Sequence, residues 1–272
     1  MAATDDLIHD PQGGMPRLLE VMRRLRDPVS GCPWDLAQDF ATIAPYTIEE
    51  AHEVEDVIAR AAWDELPGEL GDLLFQAVFQ AQIAADKGLF GFDDVVRSIA
   101  DKMVARHPHI FGGESRDKSA EQQTADWEKI KAQERGDAGV LGGVALGLPA
   151  LTRAVKLQKR AARVGFDWPS TDEVLGKLVE EAAELVEARD TLTAAEVAEE
   201  FGDLMFVMAN LARHLNVDPE AALRATNAKF TRRFGRIEDW LSEAGRSPAQ
   251  SDLAEMDALW NRAKAEERGR SS

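Results

Sequence analysis

Cysteine, tyrosine and basic charge are what this sequence has least of. Its one cysteine, Cys32, excludes an internal disulfide and fits a reducing compartment. Tyrosine occurs once, at Tyr46, and no stretch alternates apolar and polar residues for long, so strands are not expected. Lys and Arg total 32 against 49 Asp and Glu, a formal charge of −17. That balance speaks against a nucleic-acid partner, which requires basic stripes for the phosphate backbone. The longest weakly charged run, residues 141–151, is too short and too rich in glycine to span a membrane, so no membrane partner is expected. Residues 1–10 carry Asp5, Asp6 and Asp10 and lack the apolar segment of a secretory signal. A cytoplasmic protein is the expectation. Also missing are Gly-x-Gly-x-x-Gly, Gly-x-x-x-x-Gly-Lys, His-Glu-x-x-His and Gly-x-Ser-x-Gly, and with them the usual dinucleotide, P-loop, zinc-protease and serine-hydrolase chemistries.

What is present is helical. Apolar residues recur at three- and four-residue spacing, as in Val54, Val57 and Ile58, in Leu73, Leu74, Ala77, Val78 and Ala81, and in Leu204, Val207, Met208 and Leu211. The fold class is therefore all-α. Hydrophobic residues make up 44% of the 272, enough for ordinary cores, and the length favours two domains. Thr47 with Glu50 fits a capping box opening a helix that runs to about Ala61. Pro67 suits the first turn of the next helix, which runs to about Ala85 ahead of Lys87-Gly88. Ser170 with Glu173 opens a later helix ending near Asp190, and Thr193 with Glu196 opens its partner. The expected division is a first helical domain over 1–135, a glycine-rich linker over 136–150, a second domain over 151–265 and a polar tail over 266–272.

The chain repeats itself. One segment reads Glu49-Glu50-Ala51-His52-Glu53 and then Glu69-Leu70-Gly71-Asp72; another reads Glu180-Glu181-Ala182-Ala183-Glu184 and then Glu200-Phe201-Gly202-Asp203. Sixteen residues separate Glu53 from Glu69, and sixteen separate Glu184 from Glu200. Each copy continues into Lys-x-x-x-Arg (Lys102 and Arg106; Lys229 and Arg233) and a later tryptophan, Trp127 or Trp260. Each also follows a Pro-led basic helix and a Gly-x-x-Trp, at Gly31 and Gly165. Identical spacing in two copies marks a tandem duplication.

The spacing is that of a site. Residues three apart share a helix face, so Glu181 projects with Glu184, and Glu200 with Asp203. An antiparallel hairpin turning near Asp190 and Ala194 sets these two rows facing each other. Four clustered carboxylates repel unless a cation lies among them. Oxygen-only donors, with no Cys and no His at matched positions, suit a hard ion, Mg²⁺ or Mn²⁺. Such an ion can neutralise a polyphosphate and acidify a bound water for attack on phosphorus. Lys229 and Arg233, one turn apart, are placed to clamp phosphates, and Trp260 to stack on a base.

Each of these residues also has an ordinary reading. Glu50 doubles as the acid of a capping box, and Glu53 and Glu184 as solvated-face charges. Lys102 with Arg106, and Lys229 with Arg233, fit surface ion pairs as well as phosphate contacts. Trp127 and Trp260 fit a core as well as a nucleotide platform, and His107 and His109, flanking Pro108, read as structural. Glu49-x-x-His52 is half of a di-iron signature, which needs Glu-x-x-His on two helices; the second copy has Ala183 in place of His52.

Several stretches together resemble the MazG nucleoside triphosphate pyrophosphohydrolases: Gly31-Cys32-Pro33-Trp34-Asp35, FATIAPYTIEEAHE (40–53), GELGDLLF (68–75), RHPHIF (106–111), LPALTRAVKLQKRAARVGFDW (148–168), the second acidic constellation and KFTRRF (229–234). The likeness covers nearly the whole chain in the two-copy arrangement. It implies all-α helical bundles completed by a homodimer, and Mg²⁺-dependent hydrolysis of nucleoside triphosphates to monophosphate and pyrophosphate. By that likeness Glu181, Glu184, Glu200 and Asp203 hold the metal, with Glu50, Glu53, Glu69 and Asp72 as first-copy equivalents. Lys177, Lys229, Arg233 and Trp260 contact the nucleotide, Asp203 borders it, and Lys102, Arg106 and Trp127 are their first-copy counterparts. Glu180 and Glu49 are the candidates for orienting or deprotonating the attacking water. The copies differ: Asn227 precedes Lys229 where Ala100 precedes Lys102, and Lys177 stands where the first copy has Tyr46. The second copy is thus the expected active one. The competing expectation is a non-catalytic helical partner-binding protein with vestigial metal sites.

Overall fold

In the computed structural model the described residues are 2–113 and 139–270, with Ser115, Asp117, Ser119, Gln122, Gln123, Asp126, Trp127 and Ile130 between them. The expected boundary at 135 and 136 and the last two residues of the tail lie outside them. The chain forms two compact units, Met1–Ile130 and Lys131–Ser272. Among the described residues there is no strand. Among them, too, no helix is long and apolar enough to cross a membrane.

The first unit holds α1 (Ala2–His9), α2 (Gly14–Leu25), α3 (Pro33–Ala37), α4 (Phe40–Arg60), α5 (Leu66–Asp86), α6 (Phe92–Arg106) and the short α7 (Pro108–Phe111). Its core is Met22, Ile43, Val78, Phe79 and Ile83, one face each of α2, α4 and α5. Arg26, almost wholly buried, ties the end of α2 to this core. It pairs with Asp86 at 2.7 Å and bonds the Asp35 and Gln38 carbonyls.

The second unit holds α8 (Ala150–Ala162), α9 (Thr171–Thr191), α10 (Ala194–His214), α11 (Pro219–Glu243), a 3₁₀ turn (Pro248–Gln250) and α12 (Leu253–Arg270). Val174, Ala188, Val207, Ala209, Ile237 and Leu241 are among its buried apolar residues, with Asn210 between them. Asn210 Oδ1 accepts from Arg213, which also reaches Asp167 beside Trp168.

In each unit the repeat builds one long antiparallel hairpin, α4 with α5 and α9 with α10. The caps explain three of the four helix starts. Ser170 Oγ accepts from the Glu173 amide, Thr193 and Glu196 close a reciprocal capping box, and Pro67 sits in the first turn of α5. The fourth start differs from the sequence expectation. Helix α4 begins at Phe40, not near Thr47, and Pro45 lies inside it. The Asp39 carboxylate accepts from the Ala41 and Thr42 amides while Thr42 Oγ1 accepts from the Asp39 amide, so a strong cap already stands upstream. Pro45, in the second turn, leaves the Ala41 carbonyl without its intrahelical N–H, and the helix nonetheless runs through it. Thr47, not needed as a cap, instead locks α4 against α5, its hydroxyl accepting from Gln80 Nε2 at 2.8 Å.

Candidate metal and nucleotide site

In the first hairpin Glu50, Glu69 and Asp72 each offer a carboxylate oxygen, all within 4.8 Å of one another. Glu50 and Glu69 are half-buried and Asp72 is exposed. Burial raises the Glu50 pKa above its ordinary value, and the neighbouring Glu53 and Asp72 charges add to the rise. Gln76, buried one turn beyond Asp72, donates its amide to Glu50 at 3.4 Å. Glu53 is exposed, outside the triad but against Glu50; Glu49 is exposed as well. Glu50 is an interior residue of α4, so it caps nothing.

The second hairpin gathers Glu181, Glu184 and Glu200 within the same 4.8 Å. Glu181 is the buried member. Lys177, one turn earlier on α9, places Nζ 2.8 Å from Glu181 and 2.9 Å from the exposed Glu180. These two partners hold the Lys177 pKa well above the usual lysine value. Desolvation and the charges of Glu184, Asp203 and Glu181 push Glu200 upward. Asp203 is exposed and stands beside the triad rather than in it. In both hairpins, then, three carboxylates meet and the fourth stays at the rim. Equal spacing does not mean equal turns: residues 61–65 close the first hairpin, with Ala61 at φ 55°, and residues 192 and 193 close the second.

The basic and aromatic candidates form a separate cluster. Arg233 on α11 binds Glu267 at 2.7 Å and lies over the Trp260 ring at 5.4 Å. Phe230 completes the group, 5.3 Å from Trp260, and Lys229 beside it is half-buried. Helix α11 packs on α8 and α12. Arg233 is thus held by Glu267, an acid that the motif reading missed; a Glu on the last helix among several others gave no signal. In the first unit Lys102 is exposed in a shallow cleft with Phe90, Val95 and Ile99. The Arg106 carbonyl accepts from Trp127 Nε1 at 3.0 Å, and His107 lies 5.1 Å from the same indole. Trp127 is thereby packed against the end of α6. Gln76 was also missed, although an amide at 76 and another at 80 inside the apolar run LLFQAVFQAQIA marks polar business on a buried face.

The donor set fits a hard dication. It is oxygen only, three carboxylates converge, and desolvation with the neighbouring negative charges raises the Glu50 and Glu200 pKa values, a cost that a cation relieves. Two family models match the same hairpins. The MazG nucleotide pyrophosphohydrolase domain matches residues 38–111, spanning the first triad through Arg106. Phosphoribosyl-ATP pyrophosphohydrolase matches residues 148–230, spanning the second triad through Lys229. A nucleoside triphosphate pyrophosphohydrolase of Escherichia coli K12 is 48% identical over 256 residues, 92% of this chain and 97% of that protein. The chain belongs to the MazG nucleotide pyrophosphohydrolase family. Another member, a nucleoside triphosphate pyrophosphohydrolase/pyrophosphatase of Thermotoga maritima, is 42% identical over 91% of this chain and 94% of its own. Against this MazG background both acidic triads fall inside the matched segments, whereas Arg233 and Trp260 lie beyond the second.

Proposed function

We propose that this MazG protein hydrolyses (deoxy)nucleoside triphosphates to the monophosphate and pyrophosphate, in the cytoplasm, as a house-cleaning enzyme of the nucleotide pool. The observation that carries the reading is the pair of carboxylate triads on matched hairpins, in a chain 48% identical to a pyrophosphohydrolase over 92% of its length. Glu181, Glu184 and Glu200, with Asp203 at the rim, would hold Mg²⁺, and Mn²⁺ can replace it; Glu50, Glu69 and Asp72, with Glu53, would do so in the first copy. The ion supplies charge neutralisation on the triphosphate and a bound water of lowered pKa. Lys177 and Lys229 bind phosphate oxygens, Arg233 joins them on release from Glu267, and Trp260 covers the base. Glu180, exposed beside the ligands, accepts the proton of the attacking water.

The second copy is the active one in this reading, because it alone sets a lysine, Lys177, against its buried glutamate. The first copy places Tyr46 there, edge-on to Trp34 at 6.3 Å. Homodimerisation is supported by what the hairpins leave uncovered. Leu175, Val179 and Val186 make an exposed apolar stripe on α9, as do Phe201 and Met208 on α10. A partner-binding protein with vestigial sites would have no need to keep two sets of mutually repelling carboxylates.

The test is pyrophosphate release from a panel of triphosphates, with and without EDTA. Glu184→Ala combined with Glu200→Ala is expected to abolish release, a loss of at least about 10³-fold given the whole metal-centred contribution. The Glu53→Ala, Glu69→Ala pair retains activity. Orthophosphate as the product, or activity lost only in the first-copy pair, refutes the assignment.

A further inference from the structure

We infer that Lys177 is an internal counter-ion that fills the second site in the absence of metal, and that it transfers from Glu181 to a substrate phosphate when a divalent ion enters. The inference rests on the metal and nucleotide reading above and adds to it an order of events.

The geometry is a competition for one carboxylate. Glu181 is the buried member of its triad, with 7% of its side chain exposed, and a buried carboxylate needs a compensating partner. Lys177 Nζ provides it at 2.8 Å. A dication bound by Glu181, Glu184 and Glu200 sits against the same oxygens, where an adjacent ammonium is repelled. The lysine has a flexible four-carbon stem and its side chain is 29% exposed, so it can swing outward without unpacking α9. Its other partner, Glu180, is 58% exposed and holds it weakly.

The first copy supplies the contrast. At the position of Lys177 it has Tyr46, which packs edge-on to Trp34 and makes no ion pair. The buried partner of Glu50 is instead the neutral amide of Gln76, and the second copy has Val207 at that place. Each copy thus gives its inner glutamate one partner, cationic in one and neutral in the other. Metal entering the first copy displaces no charge. Metal entering the second expels an ammonium, which a triphosphate is suited to receive. Metal and nucleotide binding are therefore coupled through Lys177 in the second copy and uncoupled in the first. Departure of Lys177 also frees Glu180, the proposed proton acceptor, once the metal is bound.

Lysine acetylation rates, read residue by residue by mass spectrometry on the full chain, test this. Lys159, exposed on α8, serves as the solvated reference. Lys177 is expected to react several-fold more slowly than Lys159 without metal, at a similar rate with Mg²⁺ alone, and slowly again with Mg²⁺ and an α,β-imido triphosphate. Glu181→Gln is expected to speed the reaction in the metal-free protein. Bound Mn²⁺ is followed in parallel by its electron paramagnetic resonance signal. Bound Mn²⁺ with no change at Lys177, or a slow Lys177 in Glu181→Gln, overturns this inference and leaves the metal reading standing. No Mn²⁺ binding in either copy overturns both.

Discussion

Glu20 and Glu200 show how the same residue type is driven in opposite directions by its neighbours. Glu20, on α2, bonds Arg23 at 2.7 Å and Arg24 at 3.0 Å, and these guanidinium groups lower its pKa to about 2. A depressed folded-state pKa contributes stability that is present above the unfolded value of about 4.3 and is lost as pH falls towards 2. Glu20→Gln is therefore expected to cost about 1 kcal/mol at pH 7 and nothing near pH 2, measured by urea unfolding across that range. Glu200 is the reverse case: desolvation and four nearby carboxylates raise its pKa, so its charged form is disfavoured. The raised value makes the folded state bind more protons than the unfolded chain, and stability falls as pH climbs through that window. In EDTA, Glu200→Gln should melt above wild type at pH 7.5; with Mg²⁺ present the order should invert. Calorimetry under both conditions checks it.

At the scale of the element, the hairpins are made by their ends and their facing polar residues. Thr193 stands at a two-residue turn, and its hydroxyl both accepts from the Glu196 amide and donates to the Glu196 carboxylate. Thr193→Ala removes the cap at the point where α9 reverses into α10. The expected cost is about 1 kcal/mol in chemical denaturation, with pyrophosphate release reduced far less than by a ligand substitution. Helix α4 teaches the complementary lesson. Thr47 and Glu50 have the spacing of a capping box, but the Asp39–Thr42 cap lies upstream and the helix absorbs Pro45. A cap motif states that a helix can begin at a position; a competing cap decides whether it does.

Across the molecule, the apolar side chains left in solvent are as informative as the cores. Val179 and Val186 on α9, and Phe201 and Met208 on α10, lie at helical spacing on hairpins whose other faces are buried. Apolar residues that recur on one helix face and stay uncovered among the described residues fit the homodimer proposed above. Sedimentation velocity is expected to show a dimer, and Met208→Glu with Val186→Glu to shift it to monomer at low micromolar concentration while helicity by circular dichroism is kept.

The all-α class, the duplication, three of the four hairpin helix starts and the acids that converge were all legible in the linear chain. They depend on caps, on 3.6-residue periodicity and on one repeated spacing, which are local or nearly local properties. Contacts between residues far apart in the chain were decided only by packing. Gln76 reaches Glu50 across α4 and α5; Glu267 captures Arg233 from a helix that no motif connects to it; Asp203 and Glu53 stay at the rim of their triads. Such choices depend on which side chains share a solvent-poor space and how their charges balance there. Periodicity can put a carboxylate on the right face of a helix, but only the folded neighbourhood determines which charge it meets.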